Sequence, residues 1–63
     1  MQNIRIMKTE FEDEKGLTIH STNDNIFVPN MGDLIVLKKG MFRVKYRYID
    51  YDENIIIIDI ERE

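Results

Sequence analysis

The chain has 63 residues with no cysteine, one histidine and a formal net charge of −3 at pH 7. A chain of this length is expected to fold as a single small domain, here 1–63, around one apolar core. Without cysteine there is no disulfide and no thiolate metal site, and no cofactor or metal is expected. The negative charge gives no general attraction for nucleic acid, which would need a local basic face.

The distribution of apolar residues predicts a soluble, cytoplasmic protein. The first residues lack the apolar run of a secretory signal. The longest uninterrupted apolar run is 55–58, far shorter than the ~20 residues of a membrane helix. The absence of cysteine agrees with a reducing compartment. The bias toward Ile, Asn, Asp and Lys is typical of AT-rich genomes and points to a low-GC bacterium or its phage.

The first half of the chain is predicted to form three short strands separated by polar turns. Residues 4–11 and 17–22 alternate in polarity or are rich in β-branched side chains, and 26–28 form a third strand. Gly16 supplies the positive φ that closes the first turn. Pro29 ends the third strand, because it has no N–H to donate to a ladder.

The second half is predicted to form two consecutive hairpins. A turn with positive φ at Gly32 precedes a fourth strand over Leu34–Leu37. A two-residue loop at 39–40 would set Leu37 against Phe42, and this register matches apolar side chains on one face.

The last hairpin is predicted to close through a three-residue loop, 52–54, with Asn54 in the left-handed conformation. In this register three cations face three carboxylates: Arg43 faces Glu63, Lys45 faces Glu61 and Arg47 faces Asp59. Opposite charges across strands contribute about 0.2–1 kcal/mol per pair. The same register places Tyr46 and Tyr48 on the other face, toward the core.

These elements predict an all-β fold, a small SH3-like barrel of about five antiparallel strands joined by hairpins. A closed or nearly closed barrel hides strand edges. It also covers both faces of a strand that has apolar residues on both. The run 55–58 is therefore expected to be a bent core strand.

The second half carries a V-P-x-x-G-D-x-I/V stretch, a G-x-F/Y-x-V strand and an aromatic-Asp-Tyr hairpin. With these motifs the chain resembles small uncharacterised phage and mobile-element proteins that adopt SH3-like barrels. The resemblance covers residues 27–63 and implies the fold, not a function. The matching residues are Val28, Pro29, Gly32, Asp33, Ile35, Gly40, Phe42, Val44, Asp50 and Tyr51. The Gly-Asp turn is also similar to that of self-cleaving repressor and signal-peptidase-like domains, but the serine nucleophile is missing, so protease activity is rejected.

Two binding surfaces follow from the predicted registers. A second apolar patch on the last hairpin is a candidate protein interface or oligomer contact; its residues are Ile49, Tyr51, Ile55 and Ile57. Basic residues interleaved with aromatic ones form a candidate nucleic-acid face; they are Lys38, Lys39, Arg43, Lys45 and Arg47. Pairing with carboxylates would neutralise part of that face.

The remaining polar features predict ordinary surface. His20 stands alone without a recognisable nucleophile. The acidic cluster Glu10, Glu12, Asp13 and Glu14 is interpreted as a solvated turn, and the alternative is that it binds a basic partner or mimics nucleic-acid phosphates. The leading hypothesis is a non-enzymatic protein-interaction module of phage or mobile-element origin that acts on an unknown protein partner, with a homodimer as one form. A more specific version is an inhibitor of a host defence system, and the alternative is a nucleic-acid-binding barrel.

Overall fold

One curled sheet of five strands makes up the described part of the chain, and its shape is a half-barrel. The computed structural model describes residues 8–23 and 27–63. The strands are β1 (Lys8–Glu12), β2 (Thr18–Thr22), β3 (Leu34–Leu37), β4 (Gly40–Asp50) and β5 (Ile55–Arg62). Their order in the sheet is β2-β1-β5-β4-β3. The predicted all-β fold of five strands is confirmed.

Three of the four strand pairings are antiparallel hairpins, and the fourth is parallel. β1 lies beside β5 and runs in the same direction, with Phe11 opposite Ile58. An arrangement of antiparallel strands alone was expected, so the prediction is wrong at this contact. The pairing joins strands far apart in sequence, and no local turn signals its direction. It leaves β2 and β3 as the two edges of the sheet.

The predicted first turn is confirmed, whereas the prediction of a short third strand is wrong. Gly16 has φ +80° and donates its N–H to the carbonyl oxygen of Asp13 at 2.9 Å. Residues 27–28 have no strand conformation and lead into Pro29 at the mouth of the half-barrel. Residues 4–7 of the predicted first strand and Ile26 of the third lie outside the described residues.

The hairpin of β3 and β4 has the predicted two-residue length, but its loop lies one residue earlier, at 38–39. Leu37 is opposite Gly40, not Phe42, and Ile35 is opposite Phe42. The two registers differ by two residues, so they place the same side chains on the same faces. Apolar matching alone therefore could not distinguish them. Gly40 has φ +137°, which residues with a Cβ rarely adopt and which suits glycine immediately after the loop.

The hairpin of β4 and β5 closes through four residues, 51–54, and not three. The predicted left-handed conformation of Asn54 is confirmed by its φ of 58°. The extra loop residue shifts the register by one, so that Tyr48 is opposite Ile57. The register shifts again between Val44 and Tyr46, where Lys45 is the additional residue of a β-bulge.

The bulge decides which side chains face the core. Five buried apolar residues form that core on the inner, concave side: Phe11, Phe42, Val44, Ile58 and Ile60. Beyond the bulge the inward positions of β4 change from even to odd numbers, because Val44 is opposite Ile60 but Arg47 is opposite Ile58. Tyr46 and Tyr48 consequently point outward and are 62% and 46% exposed. The prediction that they face the core is wrong.

The register of β5 can be tested by truncating two adjacent isoleucines. Ile58→Ala is expected to lower the free energy of unfolding by about 2–5 kcal/mol, because Ile58 is fully buried and its loss leaves a cavity. Ile57→Ala, on the outer side and only partly buried, is expected to cost less than half as much. Urea denaturation followed by circular dichroism measures both, and an equal or reversed order would contradict the register.

Candidate protein-docking face

The predicted apolar patch is divided between the two sides of the sheet. Ile49 is opposite Ile56, and the side chain of Ile56 packs against the core. Ile49 and Tyr51 line a depression of about 500 Å³ together with Val28. By strand alternation Ile55 and Ile57 point to the outer side. The four residues Ile49, Tyr51, Ile55 and Ile57 therefore do not form one surface, because the one-residue register shift separates them.

Arg43 belongs to an ion pair that holds the end of the chain to β4. Its Nη2 lies 2.6 Å from Oε1 of Glu63, and its Nε lies 3.3 Å from Oε2. The Nη1 also donates to the carbonyl oxygen of Gly32 at 3.0 Å. The hydrogen bond from Arg43 lowers the pKa of the Glu63 carboxyl, and the same bond raises the pKa of Arg43. This predicted pair forms, although the two residues are diagonal neighbours and not directly opposite.

The other predicted cations are dispersed. Lys45 lies 3.6 Å from Glu61, so a second predicted pair also forms. Arg47 does not meet Asp59; its inward side chain donates to Oδ1 of Asn30 at 3.0 Å. This hydrogen bond holds the segment after Pro29 against the inner side of β4. Lys45 lies on the opposite side of the sheet.

Lys38 and Lys39 stand apart from the rest of the basic set, at the tip of the hairpin of β3 and β4. The five cations therefore occupy two sides and one tip of the sheet. They do not form the continuous basic strip that the alternation of β4 suggested.

The outer side of β1, β5 and β4 combines carboxylates with exposed tyrosines. We call it the outer face and define it by the residues Glu12, Tyr46, Tyr48, Ile57 and Asp59. Glu12 is directly opposite Asp59 on one side of β5, and Tyr46 is directly opposite Asp59 on the other. A shallow depression of about 330 Å³ separates the tyrosines from the turn after β1.

Two carboxylates of the outer face repel each other. Among residues 8–23 and 27–63, neither Glu12 nor Asp59 has a cation within ion-pair distance. Partial burial, followed by repulsion from Asp59, Glu10 and Asp13, raises the pKa of Glu12. Burial, followed by the negative charges of Asp59, Glu12 and Asp50, also raises the pKa of the Tyr48 hydroxyl. Like charges directly opposite each other in a sheet are destabilising, and among the described residues no ion pair offsets the repulsion between Glu12 and Asp59.

The predicted acidic turn contains carboxylates with different roles. Glu10 is paired with Lys8 at 3.3 Å. Asp13 is structural, because its Oδ1 accepts the N–H groups of Lys15 at 2.9 Å and Leu17 at 3.0 Å. Glu14 is exposed in the turn. The interpretation as a solvated turn fits Glu14, but Glu12 belongs to the outer face.

The inner side opens into a groove of about 630 Å³ between the two sheet edges. His20 lines this groove, and its ring packs against Phe11 with centroids 5.4 Å apart. Within the part of the chain that the structure describes, no three His, Asp or Glu side chains converge as a metal-ligand set. No helix among these residues is long and apolar enough to cross a membrane.

Comparisons of the chain with protein-family models, with curated proteins and with solved structures find no significant match. The outer face must therefore be interpreted from its own chemistry. Sequence reasoning missed Tyr46, Tyr48 and Asp59 as neighbours, because their juxtaposition depends on the bulge and on the length of the last loop. The alternation of cations and tyrosines in β4 was the available signal, but it leaves open which set faces outward.

The repulsion between Glu12 and Asp59 predicts a pH-dependent gain in stability from Glu12→Gln. A carboxyl whose pKa is raised in the folded state stabilises the fold below its unfolded pKa, and this contribution is lost as pH rises through the folded pKa. At neutral pH the substitution is expected to raise the free energy of unfolding by about 0.2–1 kcal/mol. Well below the ordinary pKa of 4.5, where Glu12 is protonated, the difference should vanish.

Glu14→Gln is the matched control, because it removes the same charge from the exposed turn beside β1. It is expected to leave stability nearly unchanged at both pH values, as measured by urea denaturation. Equal effects of the two substitutions at neutral pH would show that overall charge, and not the pair across β1 and β5, is responsible.

Proposed function

We propose that the protein is a non-enzymatic interaction module that docks a basic protein surface on its outer face. The observation that carries this proposal is the exposure of Tyr46 and Tyr48 beside two carboxylates that lack a cation among the described residues. Tyrosine offers a large contact area at low entropic cost and is enriched at protein interfaces. The face lies on central strands, so the sheet fixes its geometry.

The charge of the face selects the partner. A Lys or Arg side chain placed between Glu12 and Asp59 would relieve their repulsion and form charge-assisted hydrogen bonds. A guanidinium on the ring of Tyr46 or Tyr48 would add a cation–π contact. Complementary charge also accelerates encounter with a basic partner and rejects acidic ones. A basic segment with arginine is therefore the chemistry that fits best.

The more specific proposal is that this basic partner is a component of a host defence system and that the protein is its inhibitor, encoded by a phage or mobile element. Its support is the resemblance of residues 27–63 to small phage proteins, together with the cytoplasmic setting expected for a chain without cysteine. Proteins that act on nucleic acid carry basic surfaces, to which an acidic face is complementary.

The charge distribution weighs against the alternative, a nucleic-acid-binding barrel. Arg43 and Lys45 are paired with carboxylates, and Arg47 lies on the opposite side from both. Lys38 and Lys39, with Arg62 bonded to the Lys39 carbonyl oxygen at 2.9 Å, give a small basic tip on a chain of negative net charge. Phosphate binding draws its affinity from several cations acting together, and Arg43, Lys45 and Arg47 do not converge on this tip.

Titration with an oligoarginine peptide at about 0.15 M salt, where the Debye length is about 8 Å, followed by amide chemical shifts, tests the proposed face. We expect the shifts to concentrate around Tyr46, Tyr48 and Asp59. The double variant Glu12→Gln/Asp59→Asn should weaken binding by about tenfold, because two charge contacts are lost. Duplex DNA in place of the peptide should cause no saturable shifts.

The control variant Asp52→Asn/Glu53→Gln removes the same two charges from the distant last loop. It is expected to change the affinity by less than about twofold, since exposed charges remote from the contact are screened. Equal loss of affinity in both double variants, or saturable binding of DNA at the Lys38 tip, would contradict the proposed face.

A further inference from the structure

The half-barrel is open between its two edge strands, β2 and β3, and a groove of about 500 Å³ lies in this opening. We call it the seam groove and define it by the residues that line it: Ile19, His20, Val36, Leu37, Lys38 and Lys39. Pockets for small molecules have volumes of about 300–1,000 Å³, and most combine an apolar lining with a few polar groups. The seam groove has this size and this composition.

The apolar part of the lining comes from both edge strands. Ile19 of β2 and Leu37 of β3 are partly buried and pack against the core. Val36, which lines the same groove, is 73% exposed. Covering such an exposed side chain with an apolar group is favourable, because the contact removes apolar surface from water. The seam groove therefore offers uncovered apolar surface at a place that the sheet fixes.

The cationic part of the lining is the loop between β3 and β4, which consists of Lys38 and Lys39. No carboxylate of the described residues lies within ion-pair distance of either ammonium group. Arg62 holds the loop, because its Nη1 donates to the carbonyl oxygen of Lys39 at 2.9 Å. The guanidinium of Arg62 in turn lies over the ring of Phe42, 4.9 Å from its centroid. The fold thus places two positive charges at the loop end of an apolar groove.

We propose that the seam groove binds a small amphipathic anion, a molecule with an aliphatic or aromatic body and a carboxylate head. The body covers Val36 and contacts Ile19 and Leu37. The carboxylate accepts charge-assisted hydrogen bonds from Lys38 and Lys39. The loop selects an anionic head, because a cationic head is repelled and a neutral head forms no ion pair.

The dimensions and the lining of the seam groove favour a small molecule over a macromolecule. A stable protein partner covers about 800 Å² of each surface, which is far more than a groove between two short strands provides. Nucleic acid binds through several cations that contact successive phosphates, whereas the seam groove has two cations beside apolar side chains. This site lies in the opening of the half-barrel and is separate from the outer face.

Titration with hexanoate at about 0.15 M salt, followed by amide chemical shifts, tests the site. We expect saturable shifts at Ile19, His20 and 36–39. Hexanol has the same apolar chain without the charge, so it should shift the same residues with an affinity lower by about three- to fivefold. Hexylammonium should bind more weakly than hexanol, because its head is repelled by the loop.

Two double variants of equal net charge test the role of the loop. Lys38→Gln/Lys39→Gln should lower the affinity for hexanoate to that for hexanol and leave the affinity for hexanol unchanged. The control Lys8→Gln/Lys45→Gln removes two lysines that are paired with carboxylates elsewhere on the sheet. It should change the affinity for hexanoate by less than about twofold, since remote charges are screened.

A substitution in the apolar lining tests the position of the ligand. Val36→Asp should abolish saturable binding of hexanoate, whereas Tyr51→Asp, at a comparably exposed residue of the last loop, should retain it. Circular dichroism checks that each variant keeps its sheet. The proposal is overturned by an unaltered chain that shows no saturable shifts or equal affinity for hexanoate and hexanol, by equal losses in the two double variants, or by full binding to Val36→Asp. None of these outcomes bears on the outer face, which the oligoarginine titration tests.

Discussion

The extra residue in β4, at Lys45, is the constraint on which the two sides of the sheet depend. Before it, even-numbered residues such as Val44 face the core; after it, odd-numbered residues do. Without the bulge, the even pattern would continue and turn Tyr46 and Tyr48 inward. A bulge also bends and twists its strand, and the longest strand of a curled sheet is where such bending is required. One residue therefore helps to set both the curvature and the composition of each face.

Because the bulge turns odd-numbered residues of β4 toward the inner side, the side chain of Arg47 can hold the connection between β2 and β3 in place. Its bond to Asn30 joins the segment after Pro29 to the central hairpin, and Arg43 secures Gly32 from the outer side. The cations of β4 are thus largely used in building the fold. The bulge also turns two tyrosines to the outer side beside Asp59, where they remain exposed. The side of the sheet left for a partner is acidic and aromatic rather than basic.

Local chemistry made the turns predictable, whereas the registers needed information that the sequence does not hold locally. Gly16, Gly32 and Asn54 all have the positive φ that was expected of glycine and asparagine in these turns. The position of the loop between β3 and β4 was not predictable, since registers that differ by two residues give the same apolar match. The one-residue shifts at the last loop and at the bulge were not predictable either, since the run 55–58 is apolar at every position and fits both registers. The parallel contact of β1 with β5 joins strands far apart in sequence, with no turn between them to set its direction.

The candidate site was harder to predict than the fold for the same reason. Two of the three expected ion pairs form despite the altered register, because long side chains of Arg43 and Lys45 reach diagonal neighbours. Short or rigid side chains do not tolerate such a shift. The predicted apolar patch was therefore divided, while Asp59 changed its neighbour from Arg47 to Tyr46.

Nuclear Overhauser contacts of the Tyr48 ring test the position of the bulge and of the outer face most directly. The structure predicts strong contacts from this ring to the side chain of Ile57 and to Asp59, with none to the buried methyl groups of Ile58. Contacts from Tyr48 to Ile58 and from Tyr46 to Ile60, as in an unbulged strand with a three-residue loop, would contradict the account. The tyrosines would then belong to the core, and the outer face would lose its aromatic residues.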